Sequence, residues 1–294
     1  MDQAEKLRSL IKAQNEEKTG LARVITVTSG KGGVGKSSVA INLAMQFRKQ
    51  GKSVIIFDAD FRIANIEVMF GAIPKYNLAD MIFRGNTFKD IIVTGPDDIG
   101  FISGGSGING LGNMNREQVQ YLVYKLKELE TLADIIIIDT GAGISDTVLE
   151  FVASSGEVLL VTTPEPTSIT DAYALLKALN ARASFDREAS VIKFIANTVS
   201  NYEEARNLYN KLEVVVGKFL NINLKFLGII PLDMNMSKAV MQQKPISSAY
   251  PNSAGTKAFE NMSEALLLNK EASEVKRSGL ARAVVSILKY GRKN

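Results

Sequence analysis

The stretch "SGKGGVGKSS", residues 29–38, decides the fold of this chain. Residues 30–37 match G-x-x-x-x-G-K-[ST], which is the pattern of a phosphate-binding loop between a strand and a helix. The strand-like run "RVITVTS" begins at Arg23, before the loop, and the helix-like segment Lys36–Lys49 follows it. A glycine-rich turn without a ligand is the alternative, but the order of strand, loop and helix favours a phosphate loop.

The residue types in this loop suit phosphate chemistry. Glycines let the backbone bend so that successive N–H groups point at phosphate oxygens, and the helix N-terminus adds its dipole. We expect Lys36 to reach the β- and γ-phosphates and the Ser37 hydroxyl to ligate Mg²⁺. The predicted nucleotide-binding residues of the loop are Gly30, Lys31, Gly32, Gly33, Val34, Gly35, Lys36, Ser37 and Ser38.

Composition restricts the chemistry that the chain can perform. Of its 294 residues, 46% are hydrophobic and 22% are charged, which favours one large globular domain. Cysteine and histidine are both absent, which excludes disulfides, thiolate nucleophiles, cysteine-ligated clusters and imidazole catalysis. A net charge of +4 argues neither for nor against nucleic acid.

The chain carries no signal for membrane insertion or export. No apolar run approaches the roughly 18 to 20 residues that cross a bilayer, and "MDQAEKLRSL" at the N-terminus lacks the apolar core of a signal peptide. We therefore expect a cytoplasmic protein.

Strand-like and helix-like segments alternate along the chain. Short apolar runs without polar alternation predict strands that are buried on both faces, at 23–29, 53–60, 134–139, 157–163, 191–197 and 224–231. Helix-like segments lie between or after them, at 36–49, 115–133, 168–179, 203–219 and 253–268. This order predicts an α/β fold: a mostly parallel sheet with helices on both faces and ligands beyond the carboxyl ends of the strands.

The loop contains one lysine more than phosphate binding requires. The stretch "KGGVGKSS" resembles the deviant Walker A motif of the MinD/ParA family of P-loop ATPases, whose signature residue is the first lysine, here Lys31. The resemblance implies ATP and Mg²⁺ as cofactors and a homodimer that forms when ATP is bound, with Lys31 reaching the phosphates of the partner protomer. Alternatively, Lys31 is a surface cation near the phosphates, because such a charge is favourable without dimerisation.

Two further motifs resemble the switch regions of that family. "DAD", residues 58–60, resembles switch I, which implies that Asp60 positions the attacking water and that Asn65 belongs to the same switch. "DTGAG", residues 139–143, resembles switch II, which implies that Asp139 acts through the Mg²⁺ shell while Gly141 and Gly143 respond to the γ-phosphate. The predicted catalytic residues are Lys31, Lys36, Asp60 and Asp139, and the predicted metal-site residues are Ser37, Asp60 and Asp139.

Either aspartate alone is also compatible with a simple cap at the end of a strand, but two of them in this order favour the site. Arg62 is a departure, because relatives commonly carry glycine at that place in switch I.

The resemblance also implies residues that hold the purine base. Asn197 follows one strand-like run, and Pro231 and Asp233 follow another, where relatives place an asparagine amide and a Pro-x-Asp loop. No Asn-Lys-x-Asp motif for reading guanine occurs, which favours adenine.

Segments 1–20 and 269–294 lie outside the predicted ATPase domain, residues 21–268. "DQAEKLR", residues 2–8, matches the D-Q-A-x-x-L-R motif of FlhG proteins, the flagellar-number regulators of this family, which are also named YlxH or FleN. The apolar stripe of this segment is too short to hold a lone helix folded. The resemblance implies that the segment stimulates FlhF, a signal-recognition-type GTPase, through Asp2, Gln3, Ala4, Leu7 and Arg8. The alternative is an ordinary helix that packs on its own domain.

The segment after residue 269 predicts an amphipathic helix. One face carries Leu280, Val284, Ile287 and Leu288, and cationic residues such as Arg282 lie opposite. This distribution suits an anionic membrane surface and resembles the targeting helix of MinD and FlhG proteins. Packing against the ATPase domain is the alternative, and both states are compatible with one helix.

Together these features predict a dimerising switch ATPase that controls the number and placement of flagella. Its expected partners are a second copy of the chain, an FlhF-like GTPase, an anionic membrane and, by resemblance only, flagellar C-ring proteins. We expect no sequence-specific nucleic-acid partner. The alternatives from the same family are a MinD-type ATPase that positions the division site and a ParA-type ATPase that segregates DNA.

Overall fold

The structure is a computed structural model, and it describes residues 21–61, 65–104, 116–187 and 190–268. The strands are β1 (Arg23–Thr28), β2 (Val54–Ala59), β3 (Val93–Thr94), β4 (Gly100–Ser103), β5 (Ile135–Thr140), β6 (Glu157–Thr162), β7 (Val191–Val199) and β8 (Leu224–Pro231). They form one 8-stranded sheet in the order β3-β4-β2-β5-β1-β6-β7-β8. All neighbours are parallel except β3 and β4, which are antiparallel.

Helices follow most strands along the chain. They are α1 (Lys36–Lys49), α2 (Asn65–Phe70), α3 (Leu78–Arg84), α4 (Phe88–Ile91), α5 (Arg116–Leu129), α6 (Asp146–Ala153), α7 (Pro166–Asn180), α8 (Tyr202–Phe219), α9 (Met234–Met241), α10 (Ile246–Ala249) and α11 (Ala254–Leu268). The predicted α/β fold with a mostly parallel sheet is confirmed.

Successive side chains of the central strands point to opposite faces of the sheet, and both faces are covered. Ile25 and Val27 of β1 pack into a core that includes residues of α1 and α11. Ile136 and Ile138 of β5 pack on the other face, in a core that includes residues of α3 and α5. A third core lies between β6, β7 and helices α6 to α8. Burial on both faces explains why these strands read as continuous apolar runs.

The edges of the sheet differ from the sequence prediction. β3 and β4 were not predicted, because they are short and begin or end in polar or glycine residues. β8 was predicted to be buried on both faces, and this was wrong, since most of its residues are only partly buried. The physical reason is its position, because β8 is the last strand in the sheet order and has one neighbour only.

The two ends of the described domain lie close together. Arg23, the first residue of β1, donates from Nη1 to the carbonyl oxygen of Leu266 at 2.7 Å, near the end of α11. Arg23 also pairs with the buried carboxylate of Glu157, which Lys193 contacts through Nζ at 2.6 Å. These contacts lie at the amino ends of β1 and β6, and the phosphate loop follows the carboxyl end of β1. The described domain therefore begins and ends on the side opposite the loop.

No helix within residues 21–61, 65–104, 116–187 or 190–268 has the length and apolar character needed to cross a membrane.

Candidate active site

The phosphate loop connects β1 to α1 and takes a backbone path that requires glycine. Gly33 and Gly35 have φ values of 76° and 93°, a left-handed conformation that other residues rarely adopt. Gly35 is the N-cap of α1, and its carbonyl oxygen accepts from the N–H of Val39 at 2.9 Å. A Cβ atom on Gly35 would lie 2.4 Å from Nδ2 of Asn197. The turn therefore places the N-terminus of a 14-residue helix at the predicted phosphate site.

Lys36 is buried at the start of α1, where its ammonium group faces two carboxyl groups. Burial lowers the pKa of Lys36, and the neighbouring charges of Asp139 and Asp60 oppose this effect. A buried cation with acidic neighbours on one side is suited to an anionic ligand on the other. The structure thus brings together Lys36, Asp60 and Asp139.

Asp139 is the penultimate residue of β5 and carries a completely buried carboxyl group. Within the described part of the chain, neither of its oxygens has a hydrogen-bond partner. Burial raises the pKa of Asp139 to about 7, although the Ser37 hydroxyl and the Lys36 ammonium lie close enough to lower it. Ser37 does not, however, reach hydrogen-bonding geometry with either oxygen. Two unsatisfied oxygens next to a serine hydroxyl fit a hydrated Mg²⁺ ion, which prefers oxygen ligands and keeps several of its waters.

The switch II segment runs from Asp139 back to the phosphate loop. Gly143 has a φ of 91°, and its N–H donates to the carbonyl oxygen of Ser29 at 3.1 Å. The segment ends at Ser145, whose hydroxyl caps α6 by accepting from the N–H of Val148 at 3.4 Å. Gly141 and Gly143 therefore lie on the segment that connects Asp139, the loop at Ser29 and the start of α6.

The switch I segment begins at the carboxyl end of β2. Asp60 follows the strand and is partly buried, and Asn65 is the first residue of α2. The sequence motif also contains Asp58, which was given no role of its own and which is buried inside β2. Burial raises the pKa of Asp58 to about 8, with a further contribution from Asp139, while the backbone N–H groups of Asp60 and Ile66 oppose the rise. The sequence signal that could have identified Asp58 is an acidic residue inside an otherwise apolar strand.

Lys31 lies apart from the buried cluster and points to α7. Its ammonium group forms a short contact with the carboxylate of Glu165 and donates to Oγ1 of Thr167 at 2.8 Å. Glu165 is the N-cap residue of α7 and is mostly exposed. Lys31 is therefore held at the surface by the start of a neighbouring helix.

A pocket of about 180 Å³ adjoins the phosphate loop and contains the predicted base-binding residues. Asn197, Pro231 and Asp233 line it together with Gly33, Gly35 and Ser38. The sequence reasoning missed the residues that supply its apolar side, because only the fold brings the end of β8, α9 and α11 to the phosphate loop. These residues include Ile230, Leu232, Met236 and Phe259. A small pocket with apolar and polar sides is suited to a purine.

Two of the polar side chains in this pocket are already engaged by backbone groups. Asn197 donates from Nδ2 to the carbonyl oxygen of Val34 at 2.7 Å, which joins the end of β7 to the phosphate loop. Asp233 accepts from the N–H groups of Asn235 at 2.9 Å and Gly255 at 3.0 Å. Burial acts to raise the pKa of Asp233, but these N–H groups outweigh it and lower the pKa. Both residues thus support the walls of the pocket.

Other predicted functional residues lie outside the described residues. They are Arg62 of switch I, the partner-GTPase residues Asp2, Gln3, Ala4, Leu7 and Arg8, and the membrane residues Leu280, Val284, Ile287 and Leu288.

Comparison with known proteins identifies the family. The sequence profile of the ParA family, described as an NUBPL iron-transfer P-loop NTPase, matches residues 20–267. The chain belongs to the ParA family of P-loop NTPases.

Its relatives within the ParA family include flagellar proteins. The chain is 38% identical over 242 residues to the antiactivator FleN of Pseudomonas aeruginosa, covering 82% of this chain and 85% of FleN. It is 32% identical to the flagellum site-determining protein YlxH of Helicobacter pylori, over 98% of this chain and 99% of YlxH. The resemblance to the FlhG group is confirmed, and the site is that of an ATPase.

Solved structures of ParA-family proteins share the fold. MinD of Pyrococcus horikoshii, solved with Mg-ADP, superposes with a TM-score of 0.65 at 23% identity, over 85% of this chain and 99% of that one. MinD of Pyrococcus furiosus gives 0.67 at 24% identity, over 84% and 99%. The description of the family profile names iron transfer, but this chain contains no cysteine that could ligate iron.

Proposed function

We propose that the chain is an ATP-driven dimerising switch that controls the number and placement of flagella. The observation that carries the proposal is that the two lysines of the loop lie in different environments. Lys36 is buried beside Asp139, whereas Lys31 lies at the surface on the same loop, with about a third of its side chain exposed. This difference supports a role for Lys36 at its own nucleotide and a role for Lys31 at a second protomer. Identity with FleN and YlxH supports the flagellar role.

The residues of the chain divide the work of hydrolysis. The loop N–H groups and Lys36 bind the phosphates, and Asn197 with Pro231 and Asp233 forms the wall against the adenine. Ser37 and Asp139 would hold Mg²⁺, which neutralises phosphate charge when bound. Asp60 orients the attacking water from the end of β2. Gly141 and Gly143 respond to the presence of the γ-phosphate and transmit this change to α6.

Dimerisation requires Lys31 to exchange one set of partners for another. Its contacts with Glu165 and Thr167 are exposed, so they stabilise the monomer by at most about 1 kcal/mol. The phosphates of a nucleotide carry more negative charge than one carboxylate, which favours transfer of the lysine to the partner's site when ATP is bound.

The flanking segments give the switch its partners. Segment 1–20 would stimulate an FlhF-like GTPase, and segment 269–294 would bind an anionic membrane, with a dimer binding more firmly because it carries two anchors. The contact between Arg23 and Leu266 supports this arrangement, because it brings the first and last parts of the described domain together on the side opposite the nucleotide loop. C-ring proteins remain partners by resemblance only.

The first experiment tests the dimer. Light scattering with Mg-ATP should show a dimer for the Asp60→Ala variant, in which hydrolysis is greatly slowed, and a monomer for Asp60→Ala with Lys31→Ala. Asp60→Ala with Lys52→Ala is the matched control, because Lys52 is an exposed lysine at the amino end of β2. A dimer that persists without Lys31 would refute the role of this residue.

The second experiment tests the GTPase partner with full-length protein. Gln3→Ala should reduce the stimulation of FlhF, whereas Lys6→Ala, a change inside the same segment at a variable position of the motif, should not. If scrambling residues 2–8 leaves stimulation unchanged, the core supplies any activation, and the function reverts to a MinD-type positioning ATPase.

The third experiment tests the membrane segment. Ile287→Glu should abolish ATP-dependent sedimentation with anionic liposomes, whereas Ser286→Glu adds the same charge at a polar position and should weaken it less. Equal sedimentation of the wild type and a chain ending before residue 278 would refute membrane binding through this segment.

A further inference from the structure

One buried carboxyl group beside the nucleotide site has no part in the reaction as described above. Asp58 lies in β2, with only 1% of its surface exposed, and its Cα is paired with that of Asp139 on β5. A buried carboxyl group costs free energy unless its oxygens find donors. The donors that contact Asp58 therefore indicate its role.

Both oxygens of Asp58 accept from the backbone of switch I. Oδ1 accepts from the N–H of Asp60 at 3.0 Å, and Oδ2 accepts from the N–H of Ile66 at 3.4 Å. One carboxyl group therefore joins the chain just before residues 61–65 to the chain just after them. Because the N–H of Asp60 donates to this carboxyl group, the position of the Asp60 backbone depends on Asp58.

The support behind this carboxyl group is rigid. The carbonyl oxygen of Asp58 accepts from the N–H of Gly104 at 3.0 Å, which extends the pairing of β2 with β4 by one bond. Gly104 lies so close to switch I that a Cβ atom on it would be 2.3 Å from the ring of Phe61. The Asp58 side chain thus belongs to a paired, buried strand, so it can hold the N–H groups of Asp60 and Ile66 in place.

We propose, on the basis of the function proposed above for Asp60, that Asp58 is a positioning residue for ATP hydrolysis, which acts by holding the backbone of Asp60 so that the Asp60 carboxylate meets the attacking water. Asp58 belongs neither to the phosphate loop nor to the base pocket. Its loss should therefore lower kcat and leave the affinity for ATP nearly unchanged, because misplacing a water-orienting group affects the transition state more than the bound nucleotide.

Three variants distinguish an effect of Asp58 on the rate of hydrolysis from an effect on the stability of the fold. Asp58→Asn keeps the size of the side chain but replaces one acceptor with a donor, which releases one end of the loop, and Asp58→Ala releases both ends. We expect kcat to fall about tenfold for Asn and further for Ala, with KM for ATP within about twofold of the wild type. Glu157→Gln is the matched control, since it alters a buried carboxyl group at the opposite end of the sheet. It should lower the melting temperature and leave kcat unchanged at a temperature where the protein is folded.

A double-mutant cycle gives a result that a structural role does not produce. In an Asp60→Ala background, single-turnover hydrolysis should show no further loss on adding Asp58→Asn, because the group that Asp58 positions is already absent. Losses that multiply in the two variants would overturn the proposal. So would wild-type kcat in a folded Asp58→Ala variant.

The unmutated full-length protein supplies an independent measurement in case the variants fold poorly. Hydrogen exchange followed by NMR should show that the amides of Asp60 and Ile66 are protected, as expected for donors to a buried acceptor. Exchange of both amides at the rate of an unfolded chain would show that the loop is not held by Asp58, and the proposal would fail.

Discussion

Replacing Gly35 by alanine perturbs the phosphate loop in two separable ways. The residue has a φ of 93°, and the added Cβ atom would lie 2.4 Å from Nδ2 of Asn197. That amide cannot move aside without loss, because it donates to the carbonyl oxygen of Val34 at 2.7 Å. Gly33 offers the matched control: its φ is 76°, and no atom lies within 4 Å of the site of its Cβ.

The two causes have different magnitudes. A left-handed conformation costs an alanine about 1 to 2 kcal/mol, and this cost applies to both glycines. Breaking the bond between Asn197 and Val34 adds about 1 kcal/mol for Gly35 alone. We therefore expect Gly33→Ala to lower the free energy of unfolding by about 1 to 2 kcal/mol and Gly35→Ala to lower it by about 2 to 3 kcal/mol.

Thermal unfolding of the nucleotide-free protein measures the difference. At roughly 2 to 4 °C per kcal/mol for a domain of this size, Gly35→Ala should melt several degrees below Gly33→Ala. In an Asn197→Ala background the extra cost of Gly35→Ala should disappear, because the obstructing amide is gone. Calorimetry should also show weaker ATP binding by Gly35→Ala than by Gly33→Ala.

Equal melting temperatures for Gly33→Ala and Gly35→Ala would refute this reasoning. The same conclusion would follow if the cost of Gly35→Ala were unchanged when Asn197 is alanine, because the contact with the amide would then contribute nothing.

Three further outcomes follow from the described contacts. Glu157→Gln should lower the free energy of unfolding by about 3 to 5 kcal/mol at neutral pH, because it leaves buried cations unpaired, and urea titration measures this loss. Burial acts to raise the pKa of Glu157, but Arg23 and Lys193 together lower it. The ionised Glu157 therefore stabilises the fold above the ordinary glutamate pKa, and this stabilisation is lost as the pH falls through the lowered pKa. The glutamine variant should lack this part of the pH dependence of stability. Asp233→Ala should cost about 1 kcal/mol and weaken ATP binding in calorimetry, since it removes the acceptor that joins α9 to α11. Glu165→Gln should lower the ATP concentration needed for dimerisation in light scattering, because it weakens the hold on Lys31 in the monomer.

The phosphate loop and the buried strands were predictable because their signals are local. Residues 30–37 combine glycine spacing with a flanking strand and helix, and α1 begins and ends at the residues expected from the sequence. The apolar runs that became β1, β2, β5 and β6 have no polar alternation, which is the mark of strands buried on both faces. Asp60 and Asp139 were located by the ends of two such strands, because parallel strands deliver their carboxyl ends to one edge.

The short elements and the supporting contacts were not predictable in this way. β3 and β4 are too short to show a periodic pattern, and they are defined by pairing with each other and with β2. The engagement of Asp58 with the amides of Asp60 and Ile66 also left no sequence signal beyond an acidic residue in an apolar strand. Glu165 was not expected to hold Lys31, since the two residues are far apart in sequence.

The sequence by itself determined the class of fold, the phosphate loop and the order of the catalytic motifs, because backbone propensity, glycine spacing and apolar runs act over a few residues. Only the tertiary structure decided which groups meet: Asn197 with the loop carbonyl of Val34, Asp58 with the amides of Asp60 and Ile66, and Arg23 with the end of α11. The physical reason is that hydrogen bonds and ion pairs act over a few ångströms in space, and the packing of helices on the sheet brings together residues that lie far apart along the chain.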